Sequence, residues 1–155
     1  MILSDRDIRM FISCGAIAIE PSTTDCAYSS TSLDLRLDQE LLRFHSSPDG
    51  RSETLDPSCK DHVFEAVIRQ MAVATRIGSG GFELQPQAMV LAWTMERIGL
   101  DVMSRIAARV EGKSSLARIG LAIHITAPTI HAGFRGAIQL EIFMPLRCRS
   151  ACARA

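Results

Sequence analysis

The sequence predicts a mostly β fold of antiparallel strands with one short N-terminal helix. Three observations carry that expectation: several short apolar alternations, frequent Gly and Pro punctuation between them, and a single segment with clear helix-capping chemistry. The chain has 155 residues, with 10 glycines and 6 prolines. That length suits one domain with a sizeable core.

The helix comes first. Ser4 can serve as an N-cap, and Asp7 three residues later gives an acidic form of the capping box. Ile8, Phe11 and Ile12 share one helical face, and Gly15 supplies the stop, so a helix is expected from about Asp5 to Cys14. Ile17, Ile19 and Pro21 lead out of it. Residues 29–37 (SSTSLDLRL) set Leu33, Leu35 and Leu37 against Ser32, Asp34 and Arg36, the alternation of a half-buried strand. Asp34 and Arg36 then form a solvated ion pair worth little. Residues 45–60 are polar with Pro48, Gly50 and Pro57, and read as loop. Residues 63–71 fit strand and short helix equally. Residues 77–81 (IGSGG) form a turn. Strands are expected at 82–84, 89–93 and 102–110. Between the first two, Pro86-Gln87 sits where a type II turn would hold Gln87 at positive φ, at a cost of about 1 kcal/mol.

Composition excludes several classes. Lys+Arg and Asp+Glu number 17 each, so the formal net charge is zero and no global field draws nucleic acid or a membrane surface. Apolar residues make up 47% and charged residues 22%, ordinary for a soluble globule. No apolar run approaches a membrane span. The five cysteines (14, 26, 59, 148 and 152) are odd in number and scattered, and no signal peptide is expected before them. Reduced thiols in the cytoplasm are the expectation. A zinc deaminase needs a His-x-Glu and a Cys-x-x-Cys. The first is absent, and Cys148 and Cys152 stand one residue too far apart for the second, so no zinc is expected.

The run EGKSSLARIGLAIHITAPTIHAGFRGAIQLE, residues 111–141, holds most of the chemistry. Gly112, Lys113, Ser114, Ser115 and Arg118 offer an anion close backbone approach, two hydroxyl donors and two cations. It is not a Walker loop, because Ala107 stands where the first glycine belongs. A strand is expected over 121–126, a turn through Pro128 and Gly133, and a second strand over 137–141. The second strand ends on a lone acid, Glu141, between Leu140 and Ile142. Singly, each feature has an ordinary reading: a polar turn, a solvated arginine, and an exposed acid on the face shared by Ala137, Gln139 and Glu141.

Together these residues resemble a family. GKSSLARIGL, then ITA, GFRG and QLE, with LSDRDI and SSTSLDLRL upstream, are similar to the deoxycytidine triphosphate (dCTP) deaminases, relatives of the trimeric dUTPases. The resemblance spans roughly residues 1–145. It implies a distorted antiparallel β-barrel or jelly-roll of dUTPase type, assembled as a homotrimer with sites at subunit interfaces. It implies zinc-independent hydrolysis of dCTP to dUTP and ammonia. Glu141 falls at the catalytic carboxylate, and Arg118 at the arginine beside the reacting water and the phosphates. Lys113, Ser114 and Ser115, with Leu116 and Ala117, fall on the triphosphate-binding loop. Ala127 matches a residue whose backbone holds water and base; Gln139 and Leu140 lie on the strand that reads the pyrimidine. Magnesium would ride on the triphosphate rather than in a protein cage. A residue acting as both base and acid needs its pKa raised toward neutrality, and burial between Leu140 and Ile142 is expected to supply that.

Two departures stand out. His131 occupies the position of a family aspartate that contacts the deoxyribose hydroxyl. Aspartate accepts hydrogen bonds only, whereas a neutral imidazole accepts with one nitrogen. After Phe143 the family continues with a further strand pair and a closing tail, whereas here MPLRCRSACARA follows. Residues 146–155 therefore read as an atypical tail, the product of truncation or frameshift, leaving strand edges unpaired. Another frame of the coding DNA beyond Met144 is then expected to continue the pattern. Alternatives are a bifunctional form yielding dUMP and pyrophosphate, and an inactive relative that only binds nucleotide. A dUTPase proper is disfavoured, because its water-activating aspartate would fall near His131.

Overall fold

The computed structural model describes residues 1–44, 64–145 and 150–152. The expected loop over 45–60 lies outside them. The fold is mostly β: a curled antiparallel sheet forming a half-barrel, with few helices.

Helix α1 (Asp5–Ser13) starts as the sequence dictates. The Ser4 hydroxyl accepts from Asp7 N, and the Asp7 carboxylate accepts from Ser4 N at 3.0 Å. Gly15 ends it at φ 78°, donating its N–H to Ile12 O. Arg9 ties the helix to the following loop, reaching Asp25 at 2.7 Å and lying 3.8 Å over the Tyr28 ring. Phe11 and Ile12 pack against the core edge.

Strand β1 (Ile17–Glu20) follows where the sequence suggested only a lead-out. Residues 29–36 form no ladder. Residues 29–32 close a turn, Ser29 N donating to Ser32 O at 2.9 Å inside the one bridge between Tyr28 and Leu33, and strand β2 begins only at Leu37 (Leu37–Phe44). The leucine alternation is real, since Leu33 and Leu35 are half-buried while Ser32, Asp34 and Arg36 are exposed. Alternation reports burial, not hydrogen bonding, so it marks the face but not the pairing. Residues 64–71 resolve as helix α2 (Phe64–Met71), leading into β3 (Ala72–Arg76), then β4 (Phe82–Leu84).

The fold turns on β5 (Met89–Leu100). β8 (Arg135–Phe143) pairs along one edge; β2 and β1 share the other, β2 opposite residues 90–94 and β1 opposite residues 97–100. Strands flanked on both edges and covered on both faces read as near-continuous apolar runs. Val90, Leu91, Ala92, Ile98 and Leu100 are accordingly all buried. The expected strand over 102–110 is instead a 3₁₀ turn (Val102–Ser104) and the two-residue β6 (Ala108–Arg109), paired with β7 (Thr129–Ile130). Between them Ser114–Arg118 forms helix α3 rather than loop. The strand expected over 121–126 reduces to a bridge between Ala122 and Phe143. The tail is not without strand structure: β9 (Ser150–Cys152) pairs antiparallel with β4.

Both ladders slip near the middle of β5. Against β8 the register jumps from Trp93 to Arg97, and against β2 from Leu37 to Leu41. Such bulges leave ladder groups unpaired. Here side chains replace the lost partners. Ile138 N donates to Thr94 Oγ1 at 2.9 Å, and Thr94 Oγ1 donates to Glu96 O at 2.7 Å. The Glu96 carboxylate is fully buried and accepts from Arg36 N at 2.8 Å and Arg36 Nε at 2.7 Å. The expected Asp34–Arg36 pair therefore does not form. Neighbours on one face of a strand are easily drawn to different partners, and Asp34 instead meets Lys113 at 2.7 Å.

The Pro86-Gln87 turn is as expected. Gln87 has φ 60°, and Ala88 N donates to Gln85 O at 3.1 Å. Gln87 N also donates to Met144 O, fastening the turn to the end of β8.

Three tests follow from this frame. Arg36→Ala leaves a buried carboxylate without its guanidinium and should cost about 3 kcal/mol in urea unfolding. Gln87→Gly should hold or raise stability by up to about 1 kcal/mol, whereas Gln87→Val, branched at positive φ, should lower it by at least as much. The hydrogen bonds from the Ser4 hydroxyl and then the Ser4 backbone hold the Asp7 carboxyl below the usual aspartate range, against a small opposing effect of burial. Its contribution is thus present at neutral pH and fades as pH falls through the lowered value. An NMR titration of Asp7 should show that depressed midpoint, moving back up in Ser4→Ala.

Candidate active site

β8 places the acid. Its inward residues Ile138, Leu140 and Ile142 join the core, and Gln139 and Glu141 take the opposite face by the period of two. Leu140 and Ile142 therefore do not bury Glu141, as the sequence neighbourhood suggested. Its cover comes from across the ladder: Leu91 stands opposite Glu141, and Trp93 opposite Gln139. Leu91 is buried, and Glu141 and Trp93 are half-buried.

The segment after α3 lies along the free edge of β8. Glu141 N donates to Ile123 O at 3.1 Å, and Ile125 N donates to Glu141 Oε2 at 2.9 Å. One carboxylate oxygen is thereby fixed by a backbone donor, and the side chain is aimed. Beside it opens a pocket of about 340 Å³. Ala127, His131, Gln139 and Glu141, all singled out from the sequence, line it together, with Val110, Ile130 and Phe134 as apolar wall. His131 is exposed at the Gly133 turn, where Gly133 has φ 89° and Phe134 N donates to His131 O. A small apolar cleft with a few convergent polar groups is the usual form of a ligand site.

The cationic loop is not part of that cleft within one chain. Lys113 precedes α3 and is held by Asp34; Ser114, Ser115, Ala117 and Arg118 are exposed on α3, and Leu116 packs against the core. None of them lines the pocket, and the Leu140 side chain stands in the core. Sequence reasoning missed His124, which lines the pocket with its Nδ1 buried and without a hydrogen-bond partner among the described residues. Its only sequence signal was its place in the strand expected over 121–126. Cys14 and Cys26 are exposed free thiols. No helix among the described residues is long and apolar enough to cross a membrane.

The curled sheet with this edge pocket defines a dUTPase-like β domain. The fold is similar to the solved structure of a 2'-deoxycytidine 5'-triphosphate deaminase from Agrobacterium tumefaciens, with a TM-score of 0.66 at 22% identity, covering 92% of this chain and 42% of that one. The chain belongs to the dCTP deaminase-like family, whose model matches residues 2–146. It is 38% identical over 143 residues to the "dCTP deaminase, dUMP-forming" of Corynebacterium glutamicum strain R, covering 92% of this chain and 69% of the relative. It is 35% identical over 154 residues to the dCTP deaminase of Pseudoalteromonas translucida, covering 96% of this chain and 77% of the relative.

Proposed function

We propose that this chain hydrolyses the exocyclic amine of dCTP, with Glu141 moving the protons. The observation that carries the reading is the aimed carboxylate: Oε2 is held by Ile125 N, and the side chain opens onto the pocket that Ala127, His131 and Gln139 share. The Glu141 carboxylate takes a proton from water as the water oxygen adds to C4 of cytosine. The carboxylic acid so formed passes that proton to N3, and the carboxylate then carries the proton of the new C4 hydroxyl to the departing amino group. The C4–N bond breaks, ammonia leaves and C4 becomes a carbonyl, so dCTP and water give dUTP and ammonia. Proton transfer of this kind is worth roughly 10²–10⁴ in rate.

The triphosphate needs cations that one chain's pocket does not supply. Lys113, Ser114, Ser115 and Arg118 form that cradle from a neighbouring subunit, which makes a homotrimer the working assembly. Their exposure in the single chain supports this reading. Magnesium would arrive on the phosphate oxygens. The described residues gather no three carboxylate, imidazole or thiol groups able to hold the ion themselves. His131 contacts the sugar with an imidazole in place of a carboxylate.

A second reading, release of dUMP with pyrophosphate, has the name of one relative behind it. The Corynebacterium relative carries the name dUMP-forming, and the Pseudoalteromonas relative does not. Chromatography of the products separates dUTP from dUMP with pyrophosphate.

Glu141→Gln keeps the shape and removes the base. Ammonia release from dCTP should fall at least a hundredfold, while dCTP still raises the melting temperature. Equal ammonia release by both chains would overturn the role of Glu141. No thermal shift with dCTP, dUTP or dTTP would overturn the pocket.

A further inference from the structure

We infer that His124 is a further ligand-contacting residue of this pocket, presenting Nε2–H to an acceptor on the pyrimidine; the inference rests on the reading of the pocket given above. Three observations lead there. His124 is clamped on both sides to the same acid: the residue before it accepts from Glu141 N, and the residue after it donates to Glu141 Oε2. Its imidazole lines the cavity that Glu141 lines. Its Nδ1 is buried and has no hydrogen-bond partner among the described residues.

The orphaned nitrogen favours one tautomer. A buried, unpaired ring nitrogen goes unsatisfied as donor and as acceptor alike. Orphaned acceptors are the commoner of the two in folded chains, which favours the proton on Nε2. Nε2 is then the ring's one donor, and no acceptor among the described residues takes it. Glu141 as a carboxylate only accepts, and Gln139 lines the same pocket two residues further along the strand. A cytosine ring offers acceptors at O2 and N3, and the product adds a third at O4. A donor placed beside Glu141 recognises that edge and steadies the base while the acid works on C4.

Three variants of the full chain test the contact. His124→Gln places its amide nitrogen near the position of Nε2; His124→Asn places it near Nδ1; His124→Phe keeps the ring without nitrogen. With dCTP as probe, kcat/KM for Gln should stay within about threefold of wild type, and Asn and Phe should each lose about tenfold, the loss of one donor. In addition, the His124 Nε2 resonance of ¹⁵N-histidine-labelled protein should move when dCTP is added. If Phe performs as well as Gln, or if all three fall alike with unchanged melting temperatures, the donor is not Nε2 and the inference is wrong. If the wild-type chain binds no dCTP, the reading of the pocket falls and this contact falls with it. If wild type and Phe bind dCTP equally, only the contact falls.

Discussion

The Glu96 carboxylate is the constraint on which the sheet depends. β5 loses register against β2 and β8 at nearly the same place, so the ladder there cannot satisfy its own groups. The fully buried Glu96 gathers Arg36 from one side, by backbone and guanidinium, and Thr94 links the same turn of chain to Ile138 on the other. A buried charge is tolerable only when paired and hydrogen-bonded. Three strands therefore meet in one arrangement, and β8 is positioned as a result. Ile138 is one residue from Gln139 and three from Glu141, so the site inherits its alignment from a polar knot in the core.

The acid is aimed by backbone rather than by other charged side chains. The strip from Ile123 to Ile125 lies against the edge of β8 and both gives and takes a hydrogen bond with Glu141. Desolvation comes from Leu91 across the ladder, with Trp93 next to it. Among the described residues no cationic side chain pairs with Glu141, and a backbone donor alone holds the carboxylate in place.

Much of this was legible in the residues. Ser4 and Asp7 announced the helix because capping is local chemistry, and Gln87 announced its positive φ because a Pro-X turn admits few conformations. Glu141, Gln139, His131 and Ala127 were named together from motif order, and the chain folds them round one cavity. What escaped was non-local. Residues 29–36 alternate as a strand does, yet their partners are Lys113 and Glu96 rather than a neighbouring ladder. Sequence spacing set Asp34 beside Arg36, and tertiary contacts separated them. Glu96 lies beyond the strand expected over 89–93, and burial through a double bulge has no sequence signature. Leu140 and Ile142 adjoin Glu141 in the chain yet do not cover it, because a strand sends adjacent side chains to opposite faces.

The short pairing between β4 and β9 has a consequence for how the molecule behaves in a crowd. β4 finds no other ladder partner among the described residues, so its border carries a row of unspent amide and carbonyl groups wherever β9 is missing. Three residues near the end of the chain thus clothe one border of β4, and a chain cut before Ser150 keeps the pocket and its acid while baring that border to other strands.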